Sequence, residues 1–570
     1  MSALDRKLLR DLAHLWGQMA AVTLVVTCGI GLFVTMRSMH RYLQKTQASY
    51  YSQYRFAQLF AQVKQAPLAA AAEIAALPEV AAVEPRIVRD VLLDVPGLAE
   101  PATGRLVSVP RHRHPALNDL YLRRGRWLAG PGEVLASEAF ARANRLDVGT
   151  TVGAVLNGRW QRLRIVGLAL SPEYVYEIRG AGDVFPDNRR FGVLWMAYDD
   201  LAPAFDMKGE WNDLALSLVP GASEADAIAH LDRRLARYGG LGAYGREEQV
   251  SHRFVSDEIA ETQVTSVAIP AIFLAVTAFL LHLVMSRLVA TQRDQIAILK
   301  AFGYGPAAIG GHYLKLALAP VVAGSALGSA LGLWLAVGLS QVYARFYQFP
   351  VLRYEPEPGV AAWAIGIGGG AALLGAFRAA RRAMALPPAE AMRPEAPARF
   401  RRGLLERLGG SRHASPETRI LLRNLGRRPW KALLSTLGIA LSGAIVVLGW
   451  YAFDAIQRMK SVQFHTVQKE DVTVALAEPA SAEARHALAH LPGVLRAEPF
   501  RTVAARFRSG HHAYRSALQG LDPKGELRRI ADRDGRLHDL PPAGVLLTAR
   551  LAERLGVRPG DRLTVEVLEG

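Results

Sequence analysis

Reactive chemistry is almost missing from this 570-residue chain. A single cysteine, Cys28, lies inside an apolar run. No intrachain disulfide can form, and no cysteine-built zinc or iron–sulfur site. No G-x-x-x-x-G-K-[ST] segment is present, so the chain has no phosphate-cradling ATPase loop of its own. Acids with metal-loop spacing are lacking, since Asp94, Asp187 and Asp199 are scattered. The serine of Ser171-Pro172-Glu173-Tyr174 has no His and Asp spaced as partners, so that segment reads as a turn. Arg111-His112-Arg113-His114 and His511-His512 could hold a metal or an anion, but read as solvated loops. No residue is therefore expected to be catalytic, to bind a cofactor or to ligate a metal.

What the chain has is apolar length. Hydrophobic residues make up 51%, and mean hydropathy is +0.11. They bunch into runs separated by ordinary polar sequence, which excludes a disordered, collagen-like or coiled-coil chain. Five runs reach the roughly 20 residues that a bilayer crossing needs: 16–36, 264–286, 316–343, 360–377 and 432–453. The first is too long for a signal-peptide core, and Met36-Arg37-Ser38-Met39 is a poor cleavage site, so it reads as a retained anchor. Charge is scarce within the runs, which argues against a proton relay or an ion path.

The net charge of +17 could mark nucleic-acid binding or membrane topology, and its distribution decides for topology. Residues 378–431 hold 14 Lys/Arg against 4 Glu, which places that linker in the cytoplasm. Alternation then puts the amphipathic segment 1–15 (Arg6, Lys7, Arg10) and the loop 287–315 inside as well. The short loop 344–359 and two large regions, 37–263 and 454–570, fall outside. No nucleic-acid partner is expected. The first large region reads as mixed α/β. Helices are expected at 69–77, 137–145 and 223–238, the last opened by Ser223 and closed by Gly239-Gly240. Strands are expected at 80–95, 133–136, 152–156, 162–170, 191–196 and 214–219. A stalk helix over 247–263 runs into the second span.

The chain also repeats itself. Leu8–Leu12 (LLRDL) returns as Leu421–Leu425 (LLRNL), and Leu77–Pro85 (LPEVAAVEP) as Leu491–Pro499 (LPGVLRAEP). Val134-Leu135 and Gly149 return as Val545-Leu546 and Gly560. Such a period implies two copies of one unit. The first has four spans; completing the second would take roughly 220–230 further residues and three spans, so the sequence reads as a fragment or a truncated frame.

Between spans two and three, Ile296, Leu299 and Phe302 recur at helical spacing. Gly303 suits a left-handed helix stop and Pro306 a helix start, giving a helix–turn–helix with an apolar stripe. That stripe needs either a partner or the lipid interface. Span three carries Gly324, Gly328 and Gly332 at four-residue spacing, a face for close packing against another span or another half.

The loop resembles the cytoplasmic signature of FtsX-like, MacB-type ABC-transporter permeases, through Arg293, Ile296, Leu299, Lys300, Ala301 and Gly303. Gln295 stands where many members carry Glu. Pro388-Ala389-Glu390-Ala391-Met392-Arg393 is similar to the family's closing segment. Leu421–Ala444 is similar to its leading helix and first span, and Gly132–Val152 to an element of its exported domain. The resemblance implies an α-helical membrane protein with mixed α/β extracytoplasmic domains, placed in a bacterial inner membrane with its N-terminus in the cytoplasm. It implies a permease, not an enzyme, paired with a separate ATP-binding subunit working as a homodimer that carries ATP and Mg. Arg293, Ile296, Leu299, Lys300, Phe302, Gly303 and Tyr304 would form the coupling site. Leu299→Asp or Gly303→Val would then uncouple the protein without removing it from the membrane. A periplasmic adaptor or membrane-fusion protein and membrane lipid are further partners in such systems. The implied function is mechanical export or release of a lipidic, amphipathic, peptide or drug-like substrate. The alternative is a non-transporting regulator of an extracytoplasmic cell-wall hydrolase.

Overall fold

The structure is a computed structural model that describes residues 3–180, 185–350, 358–387, 429–474, 476, 480–510 and 512–568. It divides into two units: Met1–Ala48, Ser256–Arg345 and Val351–Trp450 in one, and Ser49–Val255, Phe346–Pro350 and Tyr451–Gly570 in the other.

The first unit is helical. A short amphipathic helix α1 (Ala3–His14) precedes α2 (Trp16–Gln53). Helices α7 (Val250–Thr291), α8 (Arg293–Ala301), α9 (Pro306–Phe346), α10 (Pro358–Ala385) and α11 (Pro429–Ser461) follow the α/β elements. Five of these helices are long and apolar enough to cross a bilayer. Helix α9 lies against α2 along the small-residue face. A Cβ on Gly324, Gly328 or Gly332 would fall 2.7–2.9 Å from atoms of Thr23, Val26, Thr27, Ile30, Gly31 or Val34. Each glycine is therefore required by a neighbouring backbone. The hydroxyls of Thr23, Thr27 and Thr35 donate to the carbonyls of Pro320, Gly324 and Gly332 at 3.1–3.3 Å. Partner numbers rise together along both helices, so α2 and α9 run parallel, as odd-numbered spans must.

The second unit holds the α/β elements. Strands β3 (Val88–Asp94), β4 (Ala102–Val109), β6 (Glu133–Ser137), β7 (Thr151–Leu156), β8 (Arg159–Leu170) and β9 (Phe191–Ala197) close into a barrel through the β7–β8 pairing; β5 (Tyr121–Gly125) shares an edge of β8. Strands β1 (Leu59–Pro67), β2 (Val80–Arg86), β10 (Glu210–Leu218) and β11 (Gly240–Gly245) form a second sheet, ordered β11-β1-β10-β2. Helices α3 (Leu68–Ala75) and α6 (Glu224–Leu235) cover it, with Ile74, Leu231 and Trp211 in the core. Ser223 caps α6 by accepting from the Asp226 N–H, and Gly239 takes the left-handed conformation after it. In the barrel, α4 (Glu138–Ala143) supplies Phe140 to the core, and α5 (Tyr198–Ala204) follows β9.

One expected strand is two. The run 80–95 splits at Ile87, with β2 in the sheet and β3 in the barrel. Ile87 donates to the Ser108 hydroxyl and Val88 to the Asn212 side chain, so the backbone turns on side-chain bonds. The apolar alternation continues across the bend and hides it.

Arg86, the last residue of β2, holds the sheet–barrel junction. Its guanidinium donates to Glu173 at 2.5 Å and to Asp213 at 2.5 Å, with all three buried. Asn118 adds a bond to Glu173 at 2.8 Å. Burial outweighs the adjacent cation at Asp213, whose carboxyl lies above its ordinary range. The turn 171–174 thus anchors the junction and is not a free loop. The Arg111–His114 segment is likewise pinned, through Arg111 to Asp200 at 2.5 Å and His114 to Asp119 at 2.9 Å. Among the described residues no group of His, Cys, Asp and Glu could hold a metal ion.

The repeat is visible in the backbone. Helix α12 (Ala482–Ala489) and α13 (Ala549–Leu555) stand where α3 and α4 stand in the first copy. Gly149 and Gly560 both have φ +96, and Arg145 and Gly556 have φ 57 and 64. Strands β12 (Phe500–Ser509), β13 (His512–Leu521) and β16 (Thr564–Val567) form the second copy's sheet, with the short pair β14 (Ile530–Ala531) and β15 (Leu537–His538) between.

Two outcomes are expected of the full chain in detergent. Arg86→Met leaves two buried carboxylates without their cation and lowers stability by about 3–5 kcal/mol, read as a fall in melting temperature. Glu177 is buried, and burial pushes its carboxyl up to about 8 from 4.5. The unfolded chain releases that proton near its ordinary value and the folded chain only near 8. Stability therefore falls as pH rises between the two. Glu177→Gln removes this loss, so the variant gains on the wild type by on the order of 2 kcal/mol or more between pH 5 and 9. A parallel pair of melting curves across that range would sink the assignment.

Candidate functional site

The site is an elbow of α7, α8 and α9. Gln292 separates α7 from α8, and α8 ends in two paired carbonyls. The Gly303 N–H donates to Lys300 O at 3.0 Å and the Tyr304 N–H to Leu299 O at 3.1 Å. Gly303 has φ +89. This is the Schellman arrangement, in which a left-handed residue closes the helix and an apolar contact accompanies the backbone bonds. Leu299 and Tyr304 both pack on the membrane-helix core, beside Ile296 and Ile309. Pro306 then opens α9.

The expected apolar stripe does not lie on one face. Ile296 is fully buried and Leu299 half-buried, whereas Phe302 is 79% exposed and Ile298 48% exposed. Gln295, Ile298 and Phe302 make the outward face. Lys300 points elsewhere again, donating to Met384 O at 2.7 Å and Leu386 O at 2.6 Å. There it caps the carbonyls that end α10, the favoured place for a cation. Arg293 is half-buried at the start of α8. The closing motif Pro388, Ala389, Glu390 and Arg393 lies outside the described residues.

Sequence reasoning missed the polar node behind the elbow. Asp11 on α1 is 8% exposed. Its carboxylate accepts from Lys7 at 2.7 Å and Gln292 at 3.1 Å, with His312 at 3.2 Å. Tyr313 donates to Gln292 Oε1 at 2.9 Å. One carboxylate thus joins α1, the α7–α8 break and α9. The available signal was an acid on the apolar face of α1, in line with Leu8, Leu12 and Leu15.

The outer element resembling the family has a local reason too. Glu133 accepts from the Ala129 and Gly130 N–H groups at 2.9 Å and pairs with Arg126, which holds its carboxyl down at about 2. The glutamate organises the turn that opens β6.

Comparison with known proteins follows this division. Residues 267–388 match the FtsX-like permease C-terminal domain, and residues 19–234 match the MacB-like periplasmic core domain. The chain thus carries both domains that mark FtsX-like, MacB-type permeases. No curated protein matches it. Among solved structures, it is similar to the periplasmic region of MacB from Actinobacillus actinomycetemcomitans, at 12% identity and TM-score 0.24 over 36% of this chain and 92% of that one. It is also similar to the extracellular domain of the noncanonic ABC-type transporter YknZ from Gram-positive bacteria, at 13% identity and TM-score 0.21 over 32% and 90%. The permease match spans the elbow, the glycine face of α9 and all of α10, and the core-domain match runs from α2 into α6. The permease is thus a membrane protein with periplasmic domains, of a family whose members are transporter membrane subunits and not themselves enzymes.

Exposure separates the elbow residues by what a substitution does. Leu299→Asp places a charge against the helix core and lowers the melting temperature of the permease, an effect of about 2–4 kcal/mol. Phe302→Asp leaves that temperature within about 0.5 kcal/mol of wild type. Equal losses from both would mean that Phe302 is covered by the permease itself.

Proposed function

We propose that the elbow docks a separate ATP-binding subunit, and that the permease carries the resulting motion outward. The carrying observation is the exposed Ile298–Phe302 face on a nine-residue helix whose opposite face is locked to the membrane core. An exposed aromatic beside a fixed scaffold is suited to burial in a partner's groove. ATP and Mg belong to that partner, a homodimer presenting equivalent grooves. Transmission is served by helix length. Helices α2 and α7, of 38 and 42 residues, extend about 57 and 63 Å. Each outlasts the roughly 30 Å hydrocarbon core. The threonine hydroxyls between α2 and α9 spend their hydrogens on helix carbonyls, so they serve helix packing.

The substrate on this reading is lipidic, amphipathic, peptide or drug-like, and is exported or released on the extracytoplasmic side of a bacterial inner membrane. A periplasmic adaptor or membrane-fusion protein receives it. The basic linker and the parallel α2 and α9 support a cytoplasmic N-terminus.

Tagged permease, purified gently from native membrane, should bring down an ATP-binding subunit in stoichiometric amount by mass spectrometry. Phe302→Asp should reduce that yield at least tenfold while the permease remains in the membrane. Undiminished recovery with Phe302→Asp would overturn the docking face. A wall hydrolase in place of an adaptor among the co-purifying proteins would turn the reading from transport to regulation.

A further inference from the structure

Helix α9 begins at the elbow and ends in a strap that the exported unit holds. The strap is Phe346–Pro350, which groups with the α/β elements and not with the spanning helices. Tyr347, Gln348 and Phe349 are buried, at 6%, 5% and 3% exposure. Tyr347 forms an antiparallel bridge with Tyr176, and the Gln348 N–H donates to Val175 O at 2.7 Å. Arg123 donates to Pro350 O at 2.8 Å, and Phe349 meets Tyr50 edge-on.

The grip is itself braced. Glu138 accepts from Arg123 at 3.1 Å. Tyr176 donates its backbone N–H to Ser251 Oγ at 2.8 Å and stacks on Phe254, both in the root of α7. The same turn carries Glu173, bound to Arg86, and Glu177, bonded to Ser137 at 2.9 Å. One turn, residues 171–177, therefore joins the strap, the α7 root and the sheet–barrel junction.

At its other end α9 is tied to the elbow through His312 and Asp11. Gly310 also leaves no room for a side chain beside Met384. Between these ends it is one helix of 41 residues, about 62 Å. A helix held at both ends and packed on α2 from its internal proline, Pro320, to Gly332 transmits displacement rather than absorbing it.

We propose that α9 and the strap are a transmission strut, with Arg123 and Tyr176 its positioning residues. This deepens the coupling reading of the elbow and rests on it for the strut's purpose. The strut reaches the 171–177 turn directly, so the exported unit receives the elbow's motion along α9 as well as through α2 and α7.

The test applies the stimulus within the chain, so it does not depend on an ATPase being present. Full-length permease in lipid nanodiscs is compared with Gly303→Val, which strains the elbow turn. Amide hydrogen exchange is followed in peptides covering 171–178 and 346–350. With the native strap, Gly303→Val should change exchange at 171–178 at least threefold. Two glycines inserted between Arg345 and Phe346 should abolish that response. Arg123→Gln should weaken it and Arg123→Lys restore it, with exchange in 68–75, the helix α3 on the other sheet, unchanged throughout. An equal response with and without the glycines, or no response in either, overturns the strut. Failure to recover an ATP-binding subunit overturns the docking reading instead and leaves this measurement decisive on its own terms.

Discussion

Close contact between two parallel helix backbones is the constraint on which the membrane unit depends. Helix α9 can reach α2 only where Gly324, Gly328 and Gly332 present hydrogen in place of a side chain. Threonine hydroxyls of α2 then meet its carbonyls. In lipid there is no hydrophobic drive to bring helices together, so this short-range packing and these bonds must supply the association. The contact fixes α9 in height and rotation. That in turn sets where the elbow begins and where the strap leaves.

The exported unit solves a different problem with a buried ion network. The chain passes between the barrel and the open sheet at Ile87 and again through α5, between β9 and β10. Arg86 ties the two together by binding one carboxylate from β10 and one from the 171–174 turn. Two acids for one base is an expensive arrangement in a desolvated place. It binds a chain segment from each side of the junction and so fixes one against the other. The same turn then grips the strap. The polar centre of the exported unit is therefore its mechanical centre.

Local chemistry was legible in the sequence and long-range chemistry was not. Gly303 and Pro306 marked the elbow because a left-handed stop and a helix start are properties of single residues. Ser223 and Gly239 marked α6 for the same reason. The glycine face of α9 was readable as a packing surface, but its partner could not be named from spacing. The β2–β3 break was hidden because alternation has a period of two on either side of a bend. The Asp11 node and the Arg86 junction join residues far apart in the chain, and no local pattern records such a bond. The ends of the fold's polar networks had to be seen in three dimensions.

The elbow shows how far periodicity reaches. At about 100° per residue, Ile296, Leu299 and Phe302 spread over roughly 120° of the helix surface, and Ile298 falls outside that arc. With Ile298 the apolar arc of this short helix widens to roughly 160°, too wide for spacing to say which edge faces inward. The Schellman closure decides it. By pairing Tyr304 with Leu299 it turns that edge toward the membrane core, and Ile298 and Phe302 are left outward as a consequence. An apolar surface made in this way is held rigid from behind while costing the permease little to expose, since a single aromatic and a single aliphatic side chain form no large patch. That is the balance the proposed docking contact requires, since such a face must engage a moving partner and still be tolerated without one.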